Sequence, residues 1–290
     1  MAKKMYVGVS DVARNVSKMY VGVNGVARKV NKVYVGVNNV ARECYSAGLK
    51  IVTWNGGTDA EIVAMVQAAS NGLINLADYW SVGDIRTVHL SAMNTSSGID
   101  ETHVAQDVEL VLKDTNHFTL NTPTASGRTT CSFVVGLKDC LLEVGKMNTT
   151  NTNVGGWDSS PRRIWCNTVF KNAIPSTLLP IFEQFKVKTS AGNKSTSLVE
   201  SVDWFSLDCI SEVGLTYQYA VTSEGTTMQW YNTSSNRIKK YGSSGSSAYW
   251  WTRSPNIISA GTFCRVGTNG TADNDYASGE KGLSPFGVIK

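Results

Sequence analysis

The chain is 290 residues long with a formal net charge of +4, and charged residues make up 17% of it. That share lies below the roughly 25% of ordinary soluble proteins, which excludes a charged coiled coil or a disordered chain, and an apolar content of 42% is enough for a sizeable core. No apolar run approaches the roughly 18 residues of a membrane helix, and the start has no apolar stretch typical of a secretion signal. We therefore expect a folded protein without membrane insertion.

Cysteine and histidine spacing gives no sign of a disulfide framework or a metal site. The six cysteines are scattered through a long chain, whereas disulfide scaffolds are short and cysteine-dense, so we interpret them as reduced thiols. No two cysteines have C-x-x-C spacing, and the three histidines lie far apart. We expect no cofactor and no local metal centre.

Three similar units of fourteen residues open the chain: MYVGVSDVARNVSK at 5–18, MYVGVNGVARKVNK at 19–32 and VYVGVNNVARECYS at 33–46. In each unit, strand-forming residues run into a polar dipeptide that tolerates positive φ, such as Asn24-Gly25. This pattern predicts one β-hairpin per unit, with Val9 opposite Val12 in the first. The valines then share one face, which requires burial.

Isolated hairpins are marginal in water, so this segment needs a neighbouring hairpin, a sister chain or a docking surface. We predict an attachment and oligomerisation segment over residues 1–48 and a body over 49–290; a self-contained three-hairpin cap is the alternative. Residues 1–48 carry eight basic and two acidic residues, a net charge of +6, which leaves −2 for the body. The basic charges are evenly spaced, which favours a solvated face over a nucleic-acid partner.

The first half of the body predicts mixed helix and sheet. IVTW at 51–54 predicts a strand, and Thr58 with Glu61 forms a capping box for a helix at about 59–71. DIRTVHLSAM, THVAQDVELVLKD and SFVVGL predict further strands. A second helix begins at Ser160-Pro161, with Ile164, Trp165, Val169 and Phe170 on its apolar side, and a third short helix is predicted around 178–185.

From about residue 214 the chain becomes rich in Gly, Ser, Asn, Tyr and Trp, which is typical of long binding loops held by an aromatic-backed frame. FCRV at 263–266 and FGVI at 286–289 predict two strands. The polar segment TNGTADNDYASGEKG between them is predicted as an exposed loop. An ordinary solvent loop without a binding role is the alternative.

The body also carries an ordered series of motifs: YWSVGDIRTVHL at 79–90, GGWDSSPRRIWCNTVF at 155–170, SLDCISEVG at 206–214, SNRIKK at 235–240, YWWTRSP at 249–255 and GLSPFGVI at 282–289. This series resembles a family of phage and prophage tail proteins of Gram-positive gut bacteria, in which YVGVNGVARKV repeats often precede the body. The resemblance implies an α+β, C-type-lectin-like body of the formylglycine-generating-enzyme type, with long loops, preceded by short β-hairpin repeats. Variable proteins of diversity-generating retroelements are similar in fold.

The same resemblance implies a division of roles near the carboxyl end. Trp251 and Arg253 of the W-W-x-R-S-P motif are expected to be buried framework. The residues expected to bind the ligand lie where family members vary their surface: Asn256, Ile257, Ile258, Ser259, Thr268, Asn269, Thr271, Asp273, Asn274, Asp275 and Tyr276.

The residues give little support to the hypothesis that the protein is an enzyme. The fold's oxidising relatives use a pair of reactive thiols, and Cys264 in the corresponding region stands alone. Calcium-lectin motifs such as E-P-N are missing, which leaves Asp273, Asn274 and Asp275 as weak candidates for a calcium ion. The carboxylates Asp100-Glu101 and Asp203 are interpreted as solvated acids, because a glycosidase pair needs a fixed separation in a cleft.

We therefore expect a non-enzymatic phage tail or tail-tip protein that binds a protein or glycan receptor on the bacterial surface through its C-terminal loops. Residues 1–48 would join it to other tail proteins or sister chains, and a homotrimer is the oligomer suggested by analogy with tail fibres. The expected location is the virion, after synthesis in the host cytoplasm. The alternative is a structural virion component without receptor contact.

Overall fold

The computed structural model describes residues 49–94, 99 and 101–290, together with the backbone of six strands between residues 6 and 46. The chain is a mixed α+β protein in which sheet predominates. No helix within the described residues is long and apolar enough to cross a bilayer.

The repeats form the predicted hairpins. Their six strands are β1 (Tyr6–Val9), β2 (Val12–Asn15), β3 (Tyr20–Val23), β4 (Val26–Lys29), β5 (Lys32–Val37) and β6 (Val40–Ser46). Each odd-numbered strand pairs antiparallel with the next, and Val9 lies opposite Val12, as predicted. The equivalent valines pair in the other two hairpins. The boundary between repeats and body at residue 48 stays a prediction.

Strands and helices of the body follow in chain order. They are α1 (Asp59–Ser70), β7 (Ile85–Leu90), β8 (Met93–Asn94), β9 (Thr102–His103), β10 (Gln106–Thr115), β11 (Phe133–Leu137), α2 (Pro161–Trp165), α3 (Lys171–Ala173), β12 (Phe182–Glu183), β13 (Phe185–Ser190), β14 (Leu198–Asp203), β15 (Trp250–Pro255), β16 (Thr262–Val266), β17 (Ala272–Tyr276) and β18 (Phe286–Ile289). A π-helical turn, Cys166–Phe170, joins α2 to α3.

The main sheet is curled and antiparallel, with the strand order β12-β18-β11-β10-β7. Its C-terminal strand β18 lies between β12 and β11 and pairs with both. The segment that precedes β18 is therefore anchored to the core at its carboxyl end. A second sheet, β15-β16-β17, carries the C-terminal loops, and β13 with β14 forms a separate hairpin.

Helix α1 confirms the predicted capping box. The Thr58 hydroxyl accepts from the Glu61 backbone N–H, and the Glu61 carboxylate accepts from the Thr58 N–H. The buried face of α1, with Ile62, Met65 and Val66, packs into the core. The core also holds six fully buried tryptophans, Trp54, Trp80, Trp157, Trp165, Trp250 and Trp251. Each removes on the order of 200 Å² from water and contributes much of the driving force for folding.

Two of the predicted elements are wrong. IVTW at 51–54 is not a strand, although Val52 and Trp54 are buried in alternation, because side chains replace the partner strand: the Trp80 indole donates to the Val52 carbonyl. The helix expected at 178–185 is a short 3-10 turn, Leu179–Ile181, followed by β12 and the start of β13. The alternation in FKVKTS places Phe185 and Val187 in the core and favours a strand there.

Two further expectations need correction. Ile164 of the second helix is 49% exposed rather than buried, whereas Trp165 and Phe170 are in the core. The polar segment after FCRV contains the strand β17, which the sequence predicted as loop. Its Asn and Asp residues have low strand propensity, but backbone pairing with β16 along its whole length outweighs that preference.

A buried ion pair connects the main sheet to the loop that follows β14. Lys113 Nζ on β10 lies 2.8 Å from Asp208 Oδ2, and both side chains are inaccessible to solvent. The Tyr231 hydroxyl donates to the same oxygen at 2.6 Å. Lys113 also contacts the faces of the Tyr231 and Phe286 rings. The pair is therefore fully buried, with two aromatic rings next to its lysine.

Removing one residue of this buried ion pair should lower the free energy of unfolding far more than removing one residue of an exposed ion pair. We predict that Lys113→Met lowers the free energy of unfolding by about 3–5 kcal/mol, because Asp208 would stay buried with only the more distant Lys239 to offset its charge. The matched control is Lys186→Met, which breaks a pair with Glu200 whose side chains are 40% and 42% exposed; that change should cost about 1 kcal/mol or less. Urea unfolding measures both, and equal losses would contradict the prediction.

Candidate functional site

The loops around the β15-β16-β17 sheet enclose a surface depression with a volume of about 390 Å³. Its lining consists of Tyr219, Asn256, Ile258, Ser259, Thr262, Asn274, Asp275 and Tyr276. Six of these residues are among those that the sequence predicted for ligand contact: Asn256, Ile258, Ser259, Asn274, Asp275 and Tyr276. The depression is therefore the place where the predicted surface comes together.

The remaining predicted residues lie outside the depression. Thr268, Asn269 and Thr271 belong to the turn from β16 to β17, at the end of β17 remote from Tyr276. The backbone N–H of Ile257 bonds to the Tyr219 carbonyl beside the depression. Whether these residues contact a ligand stays a prediction.

Asp273 points away from the depression, onto the opposite face of β17. Its carboxylate accepts two hydrogen bonds from Arg265, at 2.7 and 3.0 Å. Arg265 in turn stacks over the Tyr249 ring, 4.3 Å from its centroid. Strand alternation therefore separates Asp273 from its neighbours Asn274 and Tyr276.

Two lining residues, Tyr219 and Thr262, were not among the predicted contacts. Tyr219 packs edge-on against Tyr217 at a centroid distance of 5.1 Å, and the Tyr217 hydroxyl accepts a 2.6 Å hydrogen bond from the Asn274 amide. The spacing Y-x-Y at 217–219 is typical of a strand, but nothing in the sequence indicates that these tyrosines pack next to β17. Thr262 is buried at the floor, and its hydroxyl has no hydrogen-bond partner among the described residues.

The loop between β15 and β16 is held from below by Asn153, another residue that sequence reasoning missed. Its side-chain amide donates to the carbonyls of Asn256, Ser259 and Thr262 at 3.1, 2.8 and 2.8 Å. Its backbone N–H donates to the Ala260 carbonyl at 2.6 Å. Because buried carbonyls need partners, this amide fixes three carbonyls of the loop in place. The segment TTNTNV around it has no distinguishing pattern.

Charges at the rim of the depression are neutralised. Asp275 accepts hydrogen bonds from Arg265 Nη1 at 2.6 Å, and Lys281 Nζ lies 2.9 Å away. Partial burial acts to raise the pKa of Asp275, but the Lys281 and Arg265 cations outweigh it and hold that pKa below its usual value. Asp275 is therefore an ionised carboxylate with its charge already paired.

A buried carboxyl group anchors the segment that carries Tyr217 and Tyr219. Glu224 accepts from the Ser190 backbone N–H at 2.8 Å and from the Ser254 hydroxyl on β15. Burial raises its pKa to about 7, although these hydrogen bonds and the nearby Arg253 lower it. Ionised Glu224 is thus less stable in the folded protein than in the unfolded chain.

Glu224 should make stability depend on pH in a specific window. Its pKa is about 7 in the folded protein against 4.5 ordinarily, so its contribution is complete below pH 4.5 and is lost as pH rises towards 7. We predict that unfolding free energies of the wild type and of Glu224→Gln diverge by about 2–3 kcal/mol between pH 5 and pH 8, in favour of the variant at high pH.

The measurement is urea unfolding at several pH values across that range. Glu200→Gln, a change at an exposed carboxylate, serves as the control and should keep the pH profile of the wild type. Parallel profiles for the wild type and Glu224→Gln would refute the assignment.

The described thiols are buried and unpaired: Cys131, Cys140, Cys166, Cys209 and Cys264. This agrees with the prediction of reduced cysteines, and Cys44 lies outside the described side chains. Burial raises the thiol pKa of Cys264 well above its ordinary value, and Glu224 and Asp273 raise it further. The Cys264 thiolate is consequently disfavoured.

The acids interpreted as solvated are placed differently by the structure. Asp203 is fully buried, where it accepts hydrogen bonds from the Trp157 indole at 2.7 Å and from Arg163 Nε at 2.6 Å. That interpretation is therefore wrong for Asp203, whose buried carboxylate links the Trp157 and Arg163 side chains. It is also wrong for Glu101, whose side chain is 9% exposed and pairs with the buried Arg162; Asp100 lies outside the described residues.

The described residues contain no group of three or more His, Cys, Asp or Glu side chains with the arrangement of a metal site. Asp273 and Asp275 are instead bonded to Arg265.

Comparison with known proteins gives one match. Searches among curated proteins and among solved structures find no significant similarity. The model of a family described as "Domain of unknown function (DUF6273)" matches residues 111–290, which include the depression and all of β10 to β18 except the first residues of β10. The chain therefore belongs to the DUF6273 family.

Proposed function

We propose that this protein is a non-enzymatic binding protein of a phage tail or tail tip, and that the depression beside β17 contacts a receptor on the bacterial surface. The observation that carries the proposal is the combination of exposed apolar groups and polar groups on a rigid frame. Ile258 is 56% exposed and Tyr276 is 60% exposed, and both line the depression. A few large side chains that become buried against the partner contribute most of the binding energy at interfaces.

The frame beneath the depression supports such a role because it is already ordered. Trp251 donates from its indole to the Gly145 carbonyl, and Trp250 donates to the Arg237 carbonyl. Asn153 also holds the loop between β15 and β16, so little conformational entropy remains to be lost when a ligand binds. A preorganised patch of this kind suits recognition.

We further propose that the body has a C-type-lectin-like topology of the formylglycine-generating-enzyme type. Two features support this: the C-terminal strand β18 lies inside the main sheet, and a small second sheet carries the long loops. The motif series YWWTRSP to GLSPFGVI spans this second sheet and β18.

In the same proposal, residues 1–48 attach the protein to the tail or to sister chains. The three hairpins pair within themselves, each as a two-stranded sheet, and such ribbons are marginal when isolated. Interleaving hairpins from several chains would bury their valine faces and cover their open edges. This hairpin arrangement also favours the second candidate, a structural tail component without receptor contact.

A pair of matched isoleucine variants separates these two functions. We predict that Ile258→Asp weakens binding of the labelled full chain to Gram-positive gut bacteria at least about tenfold, because a charge replaces an apolar contact. Ile164→Asp, at a residue 49% exposed on α2, should leave binding unchanged. Flow cytometry on a panel of strains provides the measurement.

Incorporation into particles is the second readout. Under the adhesion proposal, Ile258→Asp particles assemble normally and fail to adsorb. If those particles adsorb as well as the wild type, the structural reading replaces the adhesion proposal.

A further inference from the structure

The described residues that line the depression offer a ligand many neutral polar groups and no unpaired charge. Apart from its tyrosines, Asp275 is the only ionisable residue in the lining, and Arg265 and Lys281 neutralise it. The other polar lining groups are amides and hydroxyls. A charged ligand, such as an acidic polymer or a basic peptide, would be expected to meet a complementary uncompensated charge, because such charges steer and select charged partners.

The two amides in the lining have fixed and opposite roles. Asn256 is a buried residue, 2% exposed, whose Oδ1 accepts from the backbone N–H groups of Ile258 and Ser259 at 2.9 and 3.2 Å, so its NH₂ is the group left to donate to a ligand. Asn274 Nδ2 donates to the Tyr217 hydroxyl at 2.6 Å, so its carbonyl oxygen remains as an acceptor. A donor and an acceptor held in place match a ligand hydroxyl, which both donates and accepts.

Two tyrosine rings and the Ile258 side chain supply the apolar part of the surface. Tyr276 is 60% exposed, and Tyr219 lines the same depression. The face of an aromatic ring carries negative charge density and attracts the weakly positive C–H groups of a flat ligand. A pyranose ring has such C–H groups on its faces and hydroxyls around its edge, so it complements tyrosine faces and amides together.

The size of the depression is consistent with a small part of a longer chain. Its volume of about 390 Å³ is near the lower end of the roughly 300–1,000 Å³ of small-ligand sites. One or two sugar residues of a surface polysaccharide would occupy it.

From these observations we infer that the depression binds a neutral saccharide directly through Asn256, Asn274, Tyr219 and Tyr276, without a bridging metal ion. The inference rests on the proposed function, since it specifies the chemistry of the receptor at the same site. Its affinity per site is expected to be modest, and several copies on one particle would raise the overall affinity through avidity.

The test begins with a strain that the full chain binds. Periodate, which cleaves vicinal diols of sugars, should abolish binding when cells are pretreated, whereas proteinase pretreatment should leave binding intact. The neutral wall polysaccharide of that strain, freed of anionic polymers by ion exchange, is the probe for measuring the dissociation constant. Tyr276→Ala should raise this constant at least about tenfold, and Ile164→Ala should not change it.

Varying the ionic strength and adding a chelator test whether binding depends on charge or on a metal ion. The dissociation constant should change less than about twofold between 0.05 and 0.5 M NaCl, because no counter-charges are involved, and EDTA should have no effect. Three outcomes overturn the inference while leaving the proposed function intact: cell binding that only proteinase removes, a steep loss with salt, or a loss with EDTA. A chain that binds no strain at all contradicts the proposed function itself.

Discussion

The ion pair between Arg253 and Glu212 is the constraint on which the C-terminal half of the molecule depends. Both side chains are fully buried, and Arg253 donates two hydrogen bonds of 2.5 Å to the Glu212 carboxylate and a third to the Leu207 carbonyl. A buried charge without its partner costs several kcal/mol, so these contacts hold the segment that contains Leu207 and Glu212 against β15. Burial alone would lower the pKa of Arg253, yet Glu212 raises it above its ordinary value.

This ion pair also determines where the aromatic part of the candidate site lies. The chain continues from Glu212 through Tyr217 and Tyr219 to Glu224, whose carboxylate is bonded to Ser254 on the same strand as Arg253. The tyrosine segment is therefore tied to β15 at both ends. A loop held in this way presents its side chains with little freedom, which is what a preorganised binding surface requires.

Side chains alternate between the two faces of β17, so the two aspartates lie on one face and Asn274 and Tyr276 lie on the other. Asp273 pairs with Arg265, and Asp275 pairs with Arg265 and Lys281. Asn274 and Tyr276 line the depression, and Asp275 contributes its one paired charge to the lining. Because successive side chains of a strand point to opposite faces, Asn274 and Tyr276 share one face of β17, and Asp273 and Asp275 share the other, where cations neutralise them. The chemistry inferred for the ligand follows from that division.

Local signals in the sequence were sufficient for several elements. The capping box of Thr58 and Glu61, the start of a helix at Ser160-Pro161 and the hairpin register with Val9 opposite Val12 all depend on residues within a few positions of one another. Burial of Trp251 and Arg253 was also expected, from motif resemblance. Six of the eight residues that line the depression were among the predicted contacts, since they lie in two short stretches near the carboxyl end.

Tertiary contacts decided the rest. Asn153 shapes a loop more than a hundred residues away, Asp203 is buried by Trp157 and Arg163, and the strand of Asn274 forms because β16 pairs with it. The amino-acid sequence by itself determined hairpins, capped helices and an aromatic framework, whose causes are local patterns. Only the tertiary structure decided which polar groups are paired and which face a ligand, because hydrogen bonding between distant segments depends on how the whole chain packs.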